Sequence, residues 1–340
     1  MKALTYLGPK HMELLEVPEV SPQKGEVKIA LKASGICGSD THGYLGTTGR
    51  RTAPMVMGHE SAGEVVELGE GVTKTKVGDR VVLFPIKYCG HCEYCQQHLE
   101  NICPNRSFLG VMSENGTFAD YICLPEHLVL PMPEGMSYEY GALVEPFAVA
   151  YRAVSQALPL KGQTLMVIGS GPIGLLIMMI SRHFGAEKII VSDVAENRLN
   201  LALSLGADYV VNGSKGDIGE QLIAQIGRDK VDVTIEAVGI SPTAQQSINY
   251  LKNKGLSVWV GNADKTIQIG MQEIVTRELV IKGNYIYTVQ DFKDAMDLMV
   301  SGNFDMAKLI SATIPLDEAN DMFRTLTSGP NDFIKVIVTW

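Results

Sequence analysis

Four cysteines crowd one stretch of the 340-residue chain: Cys89, Cys92, Cys95 and Cys103, in YCGHCEYCQQHLENICP. The spacing C-x2-C-x2-C-x7-C can supply four thiolates, the ligand set of a closed tetrahedral zinc site. An ion held by four protein ligands has no position left for substrate, so this stretch reads as a structural brace. The rival pattern is an iron–sulfur run, C-x2-C-x2-C-x3-C-P, and Pro104 does follow Cys103. Here the last gap is seven residues and no second cluster motif occurs, so zinc is the expectation. Cys123, in Tyr121-Ile122-Cys123-Leu124, reads as a core residue, and His91 and His98 as solvated loop residues.

A second chemical pattern is LMVIGSGPIGLL, with Gly169, Gly171 and Gly174 between a strand-like run and a helical one. Gly169 permits a tight turn, and Gly171 lets backbone amides close on a pyrophosphate. Gly174 lets the helix pack on the strand, while the helix N-terminus adds partial positive charge. Asp193 ends the next strand, nineteen residues after Gly174. A carboxylate there accepts hydrogen bonds from the adenosine ribose and repels a 2′-phosphate. Val194, not an arginine, follows it. The expectation is NAD rather than NADP, contacted by Gly169, Gly171, Pro172, Ile173, Gly174, Asp193 and Arg198.

The elements that must position these residues show two rhythms. Val27, Ile29 and Leu31 alternate with Lys28, Ala30 and Lys32, the period of a half-buried strand. Short strands follow at Gly63–Leu68, Asp79–Phe84 and Thr117–Cys123, a β-rich, barrel-like region. From about Gly162 six apolar strands appear, at Leu165–Ile168, Ile189–Ser192, Tyr209–Val211, Val231–Ile235, Ser257–Val260 and Leu279–Ile281. Helical patterns at Pro172–Phe184, Glu196–Leu205 and Thr243–Lys252 lie between them, as in a parallel, doubly wound sheet. A helix at Asp291–Ser301 and a strand at Phe333–Thr339 close the chain. The expected class is α/β: a Rossmann domain at 148–286 and a β-barrel catalytic domain at 1–147 and 287–340, with a zinc lobe at about 88–104.

Composition narrows the function classes. A net charge of −9 argues against a nucleic-acid or anionic-membrane surface. The longest apolar run, Ile173 to Ile180, is under half the ~20 residues that span a bilayer. The N-terminus turns charged too soon for a secretory signal. A cytoplasmic protein is expected, and there thiols stay reduced, which favours metal ligation over disulfides.

The run Gly58-His59-Glu60-Ser61-Ala62-Gly63, followed by Gly69 and Val72, resembles the signature of the zinc-containing medium-chain alcohol dehydrogenases. The resemblance covers essentially the whole chain and implies a GroES-like catalytic domain beside the Rossmann domain. It also implies a catalytic zinc held by Cys37 and His59, with Glu60 adjacent. Where simple alcohol dehydrogenases carry a third, cysteine ligand, this chain has Glu145. That is similar to the polyol branch, the sorbitol and galactitol-1-phosphate 5-dehydrogenases. Either Glu60 or Glu145 binds zinc directly or through water. The implied relay starts at Ser39, beside the substrate oxygen, and passes through His42. Zinc with an open position lowers the pKa of bound water from about 15.7 to about 7. A bound alcohol made acidic in the same way passes hydride to nicotinamide.

For the substrate, the polar loop from Gly43 to Arg51 supplies Tyr44, Arg50 and Arg51, the arginines suiting a phosphate or carboxylate. Tyr287, with Asn284 and Tyr285, lies where polyol relatives line the cleft. Ile286 stands where sorbitol-type enzymes carry an arginine, and Phe147-Ala148-Val149-Ala150 replaces the Gly-Asn-Ala-Val of threonine dehydrogenases. The expected function is reversible, NAD-dependent oxidation of a secondary alcohol in a polyol or polyol phosphate to a ketose, with two zinc ions per chain. Threonine or vicinal-diol oxidation and a non-catalytic NAD-binding sensor are the alternatives. A homodimer or homotetramer, without nucleic-acid or membrane partners, is expected.

Overall fold

The alternation at Val27, Ile29 and Leu31 belongs to the longest strand among the described residues, Glu26–Ile36. The structure is a computed structural model that describes residues 1–112 and 114–340. Two units divide the chain: Met1–Glu145 with Thr288–Trp340, and Pro146–Tyr287.

In the first unit Val27, Ile29 and Leu31 are buried with Val65, Val81, Leu83 and Leu124. One side of Glu26–Ile36 runs antiparallel along Glu60–Leu68. On the other side it changes partners, pairing first with Tyr121–Pro125 and then with Lys335–Thr339. The register sets Gly35 opposite Glu60 and Ile36 opposite Val336. Three distant points of the sequence therefore meet at one place in the sheet. A second, three-stranded sheet of His11–Glu16, Lys2–Gly8 and Met55–Val56 covers a core that includes Leu4, Met12, Met57, Phe118 and Phe323.

The strand expected from Thr117 begins only at Tyr121. Thr117 and Phe118 donate their amides to the Gly58 and Met57 carbonyls, and Leu4 donates to the Phe118 carbonyl. Their hydrogen bonds go to other segments, so no ladder continues there. The sequence also gave no sign of helix Tyr138–Ala157, which contains Pro146. Burial of Ala142, Leu143, Val144, Phe147, Ala150 and Val154 overrides weak local propensity.

The second unit holds strands β1 (Thr164–Ile168), β2 (Lys188–Asp193), β3 (Tyr209–Asn212), β4 (Val231–Glu236), β5 (Leu251–Trp259) and β6 (Val280–Gly283). All pairs are parallel, in the order β3-β2-β1-β4-β5-β6. Helices Pro172–His183, Glu196–Ser204, Ile218–Ile226 and Ser241–Asn249 lie between them in sequence. The helix expected to reach Lys252 stops at Asn249, because buried Leu251 pairs with Val231 and starts β5. With this order, the ends of β1 and β4 flank the point where the sheet reverses, the place where such sheets bind dinucleotides.

Candidate active site

Cys37 ends the run of Glu26–Ile36 and caps the short helix Gly38–Tyr44. Its sulfur accepts from Ser39 N at 3.5 Å, while its own amide donates to Asp40 Oδ2 at 3.2 Å. This tight capping turn fixes where the thiol sits. His59 and Glu60 arrive on the neighbouring strand, and one donor atom from each of Cys37, His59 and Glu60 lies within 4.8 Å of the others.

Two side chains support this cluster from behind. Asp40 is fully buried, accepts from Arg51 at 3.3 Å and lies 3.5 Å from His59 Nδ1. That arrangement turns Nε2 of the imidazole toward Ser39 Oγ, 3.5 Å away. Lys335 Nζ donates to both oxygens of Glu60 at 2.7 Å and to the Ile36 carbonyl at 3.2 Å. The Lys335 and Glu60 side chains are only 3% and 1% exposed. Gly35 makes room for them: a Cβ there would come within 2.0 Å of Glu60 Oε2.

The electrostatics follow from burial. Burial, then the Glu60 carboxylate, pushes the Cys37 thiol up to about 12, with Lys335 opposing. Burial alone would lower the Lys335 ammonium, but Glu60, then Cys37 and Glu145, outweigh it and raise it. Glu145 is buried and acts on both groups, yet it falls outside the 4.8 Å set. A sulfur, an imidazole nitrogen and a carboxylate oxygen this close fit the three-ligand pattern of a zinc site with one open position. A cation there would favour the thiolate that burial disfavours, so the donor set fits the ion.

The other expected site residues divide. Ser39 and His42 are exposed on the capping helix, with Ser39 at the cluster. Tyr44 is instead a core residue: 3% exposed, it donates to the Lys10 carbonyl and stacks near Phe323. Arg51 is turned inward, its guanidinium bonded to Asp40 and to the Ser39 carbonyl, so it supports the cluster instead of facing an anion. Arg50 is exposed, and Tyr287 has no exposed surface. For Tyr44 and Arg51 packing decided against the open pocket that a polar loop suggested, and for Tyr287 against the cleft-lining place that the resemblance implied.

In the cysteine lobe, the sulfurs of Cys89 and Cys95, Cys92 and Cys103, and Cys103 and Cys89 are 3.9, 3.8 and 3.6 Å apart. A tetrahedron with Zn–S of about 2.3 Å has an edge of about 3.8 Å, whereas a disulfide needs about 2.05 Å. The spacing fits one ion shared by all four. Backbone amides of His91 and Cys92 pull the Cys89 thiol down to about 6, and burial, then Cys92, pushes Cys95 up to about 12. Sulfurs with such unlike environments are brought to one state by a common cation.

In the second unit Gly169 adopts φ +94°, which an L side chain resists. A Cβ on Gly174 would lie 1.8 Å from the Gly169 carbonyl oxygen, so only glycine lets helix and turn meet. The space around a Gly171 Cβ is open, and Pro172 starts the helix. The first amides of such a helix are free for an anion. Asp193 accepts from Ser170 N and Oγ on one oxygen and from Val194 N and Ala195 N on the other. Burial would raise its pKa, but these hydrogen bonds outweigh it and hold the carboxyl below its ordinary range. Arg198 is half-buried on helix Glu196–Ser204.

Sequence reasoning missed Asp40, Lys335 and Ser170. Asp40 could have been found as the third residue of a capping turn. Nothing local marks Lys335.

Comparison with known proteins agrees with this geometry. Residues 23–134 match the alcohol dehydrogenase GroES-like domain, and residues 172–301 match the zinc-binding dehydrogenase family. The chain is 33% identical to a probable D-xylulose reductase A of Aspergillus terreus, over 95% of this chain and 93% of that protein. It is also 33% identical to an L-threonine 3-dehydrogenase of Rhizobium johnstonii, over 100% and 99%. The crystal structure of 2R,3R-butanediol dehydrogenase from Bacillus subtilis superposes with a TM-score of 0.90 at 35% identity, covering 100% and 99%. A GroES-like unit and a Rossmann unit with these motifs define a zinc- and NAD-dependent dehydrogenase. The chain belongs to the zinc-containing medium-chain alcohol dehydrogenase family, in its polyol branch. Among the described residues, no helix is long and apolar enough to cross a membrane.

Proposed function

We propose that this dehydrogenase oxidises a secondary alcohol in a polyol or polyol phosphate to the ketose with NAD, reversibly, at Cys37, His59 and the adjacent carboxylates. The observation that carries the reading is the S, N, O donor cluster, with His59 and Glu60 buried and Cys37 half-buried, and its charge support from Lys335 and Asp40. Cys37 and His59 hold the ion, and Glu60 or Glu145 completes the set. Lys335 occupies both Glu60 oxygens, which favours Glu60 as a charge-setting neighbour. Zinc at this place would supply Lewis acidity that makes a bound alcohol easier to deprotonate. Ser39, exposed beside His59 Nε2, takes the alcohol proton as it releases its own hydroxyl proton into the relay, and His42 delivers a proton to solvent. Asp193 selects NAD by charge, and the Gly169–Gly174 turn holds the pyrophosphate. Cys89, Cys92, Cys95 and Cys103 bind a second, structural zinc.

The relatives named above act on xylulose, threonine and butanediol. Each carries a secondary alcohol, or its ketone, next to a second oxygen or nitrogen, and that vicinal pair is the substrate feature we assign here. Exposed Val280 on the outer strand β6 supports edge pairing into a homodimer or homotetramer. The test is NADH absorbance across sugar alcohols, their phosphates, threonine and butanediol. Turnover confined to isolated secondary alcohols, or none in the panel, would overturn the assignment.

A further inference from the structure

Asn284 follows directly on β6, where its amide extends the sheet by donating to the Trp259 carbonyl at 2.8 Å. It is 8% exposed, and neither Oδ1 nor Nδ2 of its side chain has a hydrogen-bond partner among the described residues. A buried amide with both ends unpaired is rare in folded proteins and strongly unfavourable. Two residues on, Ile286 holds φ +41°, a conformation that a β-branched residue resists. Such strain persists only where the surroundings impose it, and it gathers at ligand sites. Fully buried Tyr287 and the Asn284–Trp259 bond pin the segment on both sides.

Position indicates which ligand would complete it. Asp193 ends β2, and Asn284 follows β6, four strands away in the sheet. At ~4.8 Å per strand this is about 19 Å, the reach of an extended dinucleotide. A dinucleotide lies across the carboxyl ends of such strands, one nucleotide on each side of the reversal at β1 and β4. With the adenosine at Asp193, the β4-β5-β6 half receives the nicotinamide. We infer that the Asn284 side chain binds the carboxamide of the nicotinamide ring, Oδ1 accepting its N–H and Nδ2 donating to its carbonyl oxygen. The inference rests on the dinucleotide reading of the Gly169–Asp193 turn. Asn284 would then be a positioning residue that sets the ring's orientation.

The test compares binding of NADH, by fluorescence titration, with binding of ADP-ribose, by calorimetry, which lacks the nicotinamide. Asn284→Ala should weaken NADH about tenfold or more, the loss of two hydrogen bonds, and leave ADP-ribose unchanged. The acetylpyridine analogue of the dinucleotide, which lacks the carboxamide N–H, should bind the wild type more weakly than NAD. That gap should close in Asn284→Ala. Equal losses for NADH and ADP-ribose would assign Asn284 a purely structural role and overturn the inference. Unchanged NADH affinity would also overturn it, including the case in which only the KM for the alcohol rises. Failure of the wild type to bind ADP-ribose would instead sink the dinucleotide reading on which it rests.

Discussion

Replacing Lys335 with methionine tests the charge arrangement behind the site. The variant keeps the aliphatic stem of a side chain that is 3% exposed but removes an ammonium 2.7 Å from both oxygens of a carboxylate that is 1% exposed. Leaving one partner of a buried ion pair alone costs about 3–5 kcal/mol. The Ile36 carbonyl, which also accepts from Lys335, loses its donor and adds about 1 kcal/mol. For a unit of this size each kcal/mol lowers Tm by about 2–4 °C, so a fall of about 15 °C is expected in the transition of the first unit. The measurement is thermal or urea unfolding after zinc removal, so that metal affinity does not enter. Adding Glu60→Gln should recover about half of the loss or more, because no buried charge then remains. A single-variant loss below about 1 kcal/mol, or a double variant no more stable than Lys335→Met alone, would refute the argument.

Metal analysis should find about two zinc ions per chain. Cys37→Ser should abolish turnover and lose one of them while far-UV dichroism is unchanged; retained activity would remove Cys37 from the ligand set. Gly174→Ala should abolish dinucleotide binding or destabilise the second unit, since its Cβ would lie 1.8 Å from the Gly169 oxygen; normal NADH affinity would contradict the packing role. For Asp193, the folded carboxyl lies below its ordinary range because hydrogen bonds from Ser170, Ala195 and Val194 outweigh burial. Its contribution to stability is therefore full above the ordinary carboxylate pKa and is lost as pH falls through the depressed value. Asp193→Asn should flatten the acid limb of stability against pH and narrow the preference for NAD over NADP; an unchanged limb and ratio would show that the carboxylate does neither.

The two patterns most legible in the sequence share a physical origin. In the cysteine lobe and the glycine turn, most of the chemistry is completed by groups within a short stretch of chain, so spacing alone carries it. Cys89, Cys92 and Cys95 sit on one turn and its short helix, and Gly169 and Gly174 meet across a single strand-to-helix corner. The parallel sheet was legible for a related reason: alternating strand and helix rhythms leave few ways to connect one, although the strand order came from the structure.

The sequence by itself determined the two-rhythm architecture and carried the glycine turn and the cysteine spacing, whereas Cys37 and His59 were paired only by the family resemblance. Only the tertiary structure decided what stands behind them. Lys335 reaches Glu60 across 275 residues because the closing strand pairs with Glu26–Ile36, and no local pattern encodes that pairing. The same holds for Arg51 and Tyr44, polar side chains in a polar loop that packing turned inward onto Asp40 and Lys10. Hydrophobic period reveals which residues face a core, but a buried polar group is defined by the partner it finds, and that partner is set by the fold.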